Sequence, residues 1–251
     1  MKFLYESNLL LTLFPEFKSL ENLGQNEHHH LNVLSHTLLM VEKISWASEW
    51  VTRNHQEISF TQENRLPLYY AALFHDIGKK DTFSEDKGGK VHFYHHESFS
   101  IMAAEGIMER LRFPNQMKNK ILHLIKNHMR IPNLSWETKE TALKRLIHQI
   151  GEEIPLLVLL TLADKEASRG ILSIEIDEVV EKHCLRIFEL FKEKDIIHPQ
   201  PFITGHDVMA LGYLPGPRVG QILNIIHQKQ VEGEIKNREE ALRILREEFG
   251  I

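Results

Sequence analysis

Leu68-Tyr69-Tyr70-Ala71-Ala72-Leu73-Phe74-His75-Asp76-Ile77-Gly78-Lys79-Lys80 is the stretch on which the fold turns. Its apolar run from Leu68 to Phe74 reads as a buried helix, and that helix delivers an imidazole and a carboxylate side by side. A buried carboxylate with no partner is strongly disfavoured, so a cation is the natural counterpart of Asp76. Gly78 is expected to take a left-handed turn and end the helix. Lys79, just past that end, suits an anionic substrate. A His-Asp dipeptide alone carries little information, and the chain holds a second one, His206-Asp207. The first pair stands out through its company elsewhere.

A later helix has the same construction. It starts at Pro155, runs through Leu156-Leu157-Val158-Leu159-Leu160-Thr161-Leu162-Ala163 and ends in Asp164. A helix apolar nearly all round is buried on every side. Histidines gather on other helices. His36 shares a face with Val33 and Met40 on a helix reaching about Trp50. His95-His96 opens a helix running to about Arg112, and one of the two is placed to reach a metal. His128 ends the helix Gln116 to Arg130, which also carries His123. Any one of these histidines alone reads as a hydrogen-bonded core residue. Two buried acids with several histidines on separate helices imply a metal site in a bundle core.

Composition bounds the rest. The chain has 251 residues, 42% of them hydrophobic, enough to bury a sizeable core. Helix formers dominate and no sustained alternation of apolar and polar residues is flanked by hairpin turns, so the class is all-α. A net charge of -5 gives no overall basic field for nucleic acid, although a local RNA contact stays open. The single cysteine, Cys184, excludes an internal disulfide. Leu9 to Phe14 is short for a signal core, and no apolar run of about 20 residues is present. A soluble, cytoplasmic protein with no membrane partner is expected.

Along the chain, residues 1–26 read as a helical extension broken at Pro15. Gln62 to Asn64 reads as a polar loop, with Pro67 in the first turn of the helix after it. Lys80 to Lys90 reads as a loop near the site. Ser135 is expected to cap the helix holding Arg145 and His148. An amphipathic helix over residues 175–195 precedes a boundary at His198-Pro199-Gln200-Pro201. Thr204-Gly205-His206-Asp207 fits a capped helix start, which makes the second His-Asp pair structural. Asn237 to Glu240 is another capping signature. Leu211 to Gly220 reads equally as an amide cradle for phosphate or as a tight helical connection. The expected division is 1–26, 27–198 and 199–251.

His36, His75-Asp76 and Asp164, in that order on helices, resemble the HD superfamily of metal-dependent phosphohydrolases. His96 and His128 match the two further histidines of its dinuclear members. The run His28 to Leu38, Phe93-x-x-His96-Glu97, Lys126-Asn127-His128-Met129 and Arg145 resemble the HD domain of bacterial tRNA nucleotidyltransferases, the CCA-adding and poly(A) polymerase-like enzymes. The tail from Pro201 to Met209, Leu211-Gly212 and Pro215 to Gly220 is similar to their C-terminal segment. The resemblance covers about residues 27–250. Those enzymes begin with a nucleotidyltransferase domain marked by Gly-Gly…Arg-Asp and Asp-x-Asp elements. Nothing in residues 1–27 resembles it, so nucleotide addition is not expected.

The resemblance implies an HD-domain helical bundle with a small helical tail. It implies that His36, His75, Asp76 and Asp164 hold one metal, and that Asp76 bridges to a second held also by His96 and His128. One or two divalent ions are implied: Mn, Fe, Co, Ni or Zn, or Mg. Such ions activate a water and clamp phosphoryl oxygens. Asp76 and Lys79 would be catalytic, and Lys79, Arg145 and Arg169 would bind substrate. The implied activity is a phosphohydrolase of the 2′,3′-cyclic phosphodiesterase, 2′-nucleotidase or phosphatase type. Its partner would be a phosphorylated small molecule or an RNA end, with a tRNA contact through the tail open to test. The alternatives are a tRNA-binding protein without catalysis and an HD-type diiron oxygenase.

Overall fold

The computed structural model describes residues 1–24, 31–55, 62–169 and 174–250, so His28 to His30 lie outside the described residues. Among the described residues the chain is all-α apart from one short hairpin. Its elements in order are α1 (Lys2–Glu6), α2 (Leu9–Leu13), a 3-10 turn (Pro15–Leu20), α3 (Val33–Asn54), α4 (Gln62–Phe74) and α5 (Lys79–Thr82). Next come strands β1 (Phe83–Glu85) and β2 (Val91–Phe93), then α6 (His96–Arg110), α7 (Asn115–Asn127), α8 (Glu140–Ile150) and α9 (Ile154–Ser168). The chain ends with α10 (Ile174–Phe191), α11 (Lys194–Ile197), α12 (Gly205–Met209), α13 (Pro217–Val231) and α14 (Arg238–Phe249). They form two compact units: residues 1–134 with 155–185, and residues 135–154 with 186–251.

In the first unit α4 packs against α3 and α7, and α6 packs against α7. Phe74, at the end of α4, meets Phe14 edge to face and stacks on Phe17 and Tyr70, so the N-terminal turns anchor the helix that carries His75-Asp76. From Leu156 to Ala163 every side chain of α9 is buried. Each buried Leu or Val contributes about 1.5–3 kcal/mol, far more than is needed to fix where Asp164 emerges. One helical stretch among the described residues, Glu140–Ser168, has the length and hydropathy of a membrane span, and 67% of its apolar window is buried in the protein.

Several local expectations are corrected. Gly78 has φ -80°, ordinary right-handed backbone, so it is not a left-handed stop. Its role is steric: a Cβ there would lie 2.3 Å from Ser100 N and 2.6 Å from the His96 carbonyl oxygen. The Gly78 amide donates to Ser100 Oγ at 2.9 Å, locking the His75-Asp76 segment onto α6. Gln62 to Asn64 is already helical and Pro67 sits inside α4, where its missing N–H falls near the exposed start. Ser135 does not cap α8, whose N-cap is Lys139. Its amide instead donates to Thr138 Oγ1 in the preceding turn. The expected loop after Lys80 contains the end of α5 and the hairpin, with Phe83 opposite Phe93. Asp86 Oδ1 closes the hairpin by accepting from the Gly88 and Lys90 amides at 2.8 and 3.0 Å.

The second unit has its own core of Ile203, Val208, Val219, Ile222, Ile226, Ile235, Ala241 and Leu245. α12 starts with the expected capping box between Thr204 and Asp207. Asp207 also takes a guanidinium fork from Arg238 at 2.6 and 3.1 Å, so the second His-Asp pair is structural. Asn237 caps α14 through the Glu240 amide at 2.9 Å.

Candidate metal centre

Six helix-borne side chains of the first unit converge. His36 comes from α3, His75 and Asp76 from just past α4, His96 from the first turn of α6, His128 from the end of α7, and Asp164 from α9. His36, His75, Asp76, His96 and His128 are all buried, and Asp164 is one-fifth exposed. Two triplets, His36-His75-Asp76 and Asp76-His96-His128, each bring ligand atoms within 4.8 Å of one another.

Asp76 is the hinge of the arrangement. Its Oδ2 lies 3.1 Å from His75 Nε2, 3.9 Å from His36 Nε2 and 2.7 Å from Lys79 Nζ. Its Oδ1 lies 3.2 Å from His96 Nε2 and 4.0 Å from His128 Nε2. Each oxygen therefore faces its own pair of imidazoles. Asp164 Oδ1 completes the first group at 2.9 Å from His36 Nε2.

Three of the rings are oriented alike. His75 Nδ1 donates to the Ala72 carbonyl, His96 Nδ1 to that of Phe93, and His128 Nδ1 to that of Ile125, at 2.9, 2.9 and 2.7 Å. A carbonyl only accepts, so Nδ1 carries a proton in each ring and Nε2 is turned into the cluster, a lone pair when the ring is neutral and a donor to Asp76 when His75 or His96 is protonated. His75 and His128 each follow the end of a helix and His96 follows a strand end, so each ring reaches the carbonyl three residues back.

Charge is arranged to match. Burial alone would raise the Asp76 pKa, yet the charges of His75 and Lys79 and hydrogen bonds from His75 and His96 bring it well below the carboxylate range. Asp164 is likewise lowered against its burial, by the His36 hydrogen bond and by the charges of His36 and His75. Burial works against the charged form of His75, but Asp76 and Asp164 together raise its pKa. Burial first, then the charges of His75 and His96, push His128 down to about 3. The result is two ionised carboxylates among inward-turned nitrogens, a donor set that fits one or two divalent ions of borderline character.

The other expected site residues fall as follows. Lys79 is buried beside Asp76. Arg169 lies just after α9, 59% exposed and 3.2 Å from Glu166. Arg145 belongs to the second unit, where its guanidinium engages Glu232, with Nε 2.7 Å from Oε1. His95 adopts a left-handed backbone at φ 59°, which separates it from His96 in direction, and it is exposed. Sequence reasoning missed Ser100 and Phe93. Ser100 holds the Gly78 amide, and Phe93 supplies both the carbonyl that orients His96 and a ring 5.3 Å from Lys79 Nζ. The spacing Phe93-x-x-His96 was the available signal.

Comparison with known proteins bears on the chemistry. Residues 91–245 match the family model described as tRNA nucleotidyltransferase domain 2. The chain is 31% identical over 235 residues to the A-adding tRNA nucleotidyltransferase of Deinococcus radiodurans, covering 93% of this chain and 50% of that protein. It is 31% identical over 246 residues to the CC-adding tRNA nucleotidyltransferase of Thermus thermophilus, covering 96% and 50%. It is also 31% identical over 143 residues to the Multifunctional CCA protein of Actinobacillus pleuropneumoniae, covering 56% and 31%. The chain thus spans about half the length of the first two relatives. These names overturn the expected phosphohydrolase, because the relatives are named as nucleotidyltransferases acting on tRNA.

Proposed function

The chain belongs to the tRNA nucleotidyltransferase domain 2 family, and on that premise we propose that it serves in nucleotide addition to the 3′ end of tRNA. The observation that carries this reading is 31% identity over 93–96% of the chain to relatives named for that reaction. These 251 residues contain no Asp-x-Asp pair. Their part in the reaction is to hold tRNA and present its end, with nucleotidyl transfer carried out by a domain bearing that pair. In this assignment residues 27–198 carry the metal-holding side chains, all of them on the first unit, and residues 199–251 form the tail that contacts tRNA.

The order and convergence of His36, His75-Asp76 and Asp164 support placing the body in the HD superfamily. His36, His75, Asp76 and Asp164 would hold one divalent ion, and Asp76, His96 and His128 a second. Mn, Fe, Co, Ni or Zn suits this mixed imidazole–carboxylate set, and Mg suits it less. Bound there, such an ion would supply positive charge for a phosphate oxygen. Lys79 adds a fixed ammonium, held by Asp76, for the same phosphate. Arg169, exposed just after α9, and Arg145, on the second unit, would each contact the RNA backbone.

The test has two parts. Binding of tRNA lacking its 3′-terminal nucleotides is measured across a salt series, and labelled CTP and ATP incorporation is followed with and without an added nucleotidyltransferase domain. We expect binding that weakens with salt, and incorporation only when that domain is present. Absence of tRNA binding at low salt would sink the reading.

A further inference from the structure

A row of contacts leads from the metal cluster to solvent. Lys79 Nζ, 2.7 Å from Asp76 Oδ2, lies 5.3 Å from the centre of the Phe93 ring. Phe93 pairs across the hairpin with Phe83, whose ring meets it edge to face at 6.0 Å. Burial falls along this row: Lys79 is buried, Phe93 is half-buried and Phe83 is 46% exposed. A three-residue strand has little core to offer an aromatic ring, so hydrophobic burial does not account for Phe83. A ring open to solvent, two contacts from a buried ammonium, matches the two recognition elements of a nucleotide. The base has a flat π-face and the phosphate a negative charge.

We propose that Phe83, backed by Phe93, is a stacking surface for a base at the unpaired 3′ end of an RNA strand whose phosphate sits at Lys79. The proposal rests on the tRNA reading above and assigns the place where the strand end lies. α5 and the hairpin after it carry exposed Lys80, Lys87 and Lys90 against exposed Asp81, Glu85 and Asp86, so this surface is nearly neutral. Asp86 is directed into the hairpin by the Gly88 and Lys90 amides and by His92. Stacking therefore carries the recognition here, and it tolerates any base because every base has a π-face. Tyr94 supplies an internal control. It is 66% exposed and stacks at 9° on His92, which points to the face of the hairpin opposite Phe93.

The experiment uses the full chain and fluorescence anisotropy with three probes: tRNA with its unpaired 3′ nucleotides, the same tRNA without them, and a short single-stranded RNA. Phe83→Ala should weaken binding of the first by about tenfold and leave the second unchanged. Phe83→Trp should restore wild-type affinity, and Tyr94→Ala should leave all three unchanged. The added loss from Phe83→Ala should persist at high salt. Equal loss on both tRNA forms, or no loss on the intact one, overturns the proposal. If the wild type binds neither tRNA, the tRNA reading itself falls and the short strand decides. Phe83-dependent binding of that strand keeps the stacking surface, and Phe83-independent binding or none removes it.

Discussion

His96 Nε2 and His128 Nε2 face each other at 3.1 Å, while each ring donates its Nδ1 proton to a backbone carbonyl three residues back. With both rings neutral, two lone pairs at that distance repel, and a proton or a metal ion relieves them, with Asp76 Oδ1 as its anionic partner at 3.2 Å from His96. Metal should therefore stabilise the fold. At about 100 times its Kd a bound ion adds roughly 2.7 kcal/mol. For a chain of this size that corresponds to a Tm shift of about 5–10 °C, removed by a chelator. Asp76→Ala should lose bound metal in elemental analysis, and its Tm should no longer respond to the chelator. A wild-type Tm indifferent to both metal and chelator would contradict this.

The contact of Gly78 with α6 gives a second expectation. A methyl group there meets backbone atoms at 2.3–2.6 Å, and backbone cannot move aside as a side-chain tip can. Gly78→Ala should destabilise by roughly 1–3 kcal/mol in urea unfolding. It should also loosen the metal centre, because His75 and Asp76 are carried on the same turn. Ser100→Ala, which removes only the hydroxyl accepting from the Gly78 amide, should cost about 1 kcal/mol.

Acid should weaken the tail through Asp207. Hydrogen bonds from Arg238, then from Thr204, outweigh burial and hold its carboxyl below the usual value of 3.8. A pKa lowered on folding means stability that is complete above the unfolded value and lost as pH falls through the folded one. Asp207→Ala should therefore cost about 0.5–2 kcal/mol near neutral pH, the range for a helix cap. The gap between variant and wild type should close below about pH 3. A gap that stays constant down to that pH would show that the carboxylate charge plays no part.

His95, at φ 59°, holds a left-handed backbone that costs an L-residue about 1–2 kcal/mol. Glycine avoids that cost but loses roughly 0.5–1 kcal/mol through its freer unfolded chain. His95→Gly should leave stability unchanged or raise it by up to about 1.5 kcal/mol, with metal content unaffected. Loss of metal in that variant would mean that His95 is itself a ligand.

What the sequence revealed follows from the range of the physics involved. Asp76, just past α4, and Asp164, inside α9, follow runs too apolar to be exposed, so desolvation alone marks them as partnered. The tail caps at Thr204 and Asn237 are local signals, complete within four residues, and they are present as expected. Gly78 was misread because its constraint is not local: the clash is with residues about twenty positions on. The hairpin went unseen because Phe83-Ser84-Glu85 is too short to show alternation. The reaction class was misjudged for another reason. A ligand set of imidazoles and carboxylates narrows which ions suit it but not what is done with them, and the relatives' names, not the residues, point to transfer over hydrolysis.

The three Nδ1 contacts to carbonyls have a further consequence for selectivity among ions. Because His75, His96 and His128 are clamped by their own main chain, none can swivel to follow a larger or smaller ion. The pocket would then act as a rigid gauge, with coordination radius set when the helices pack and before any ion arrives. Ions of the wrong size would be refused by the backbone itself.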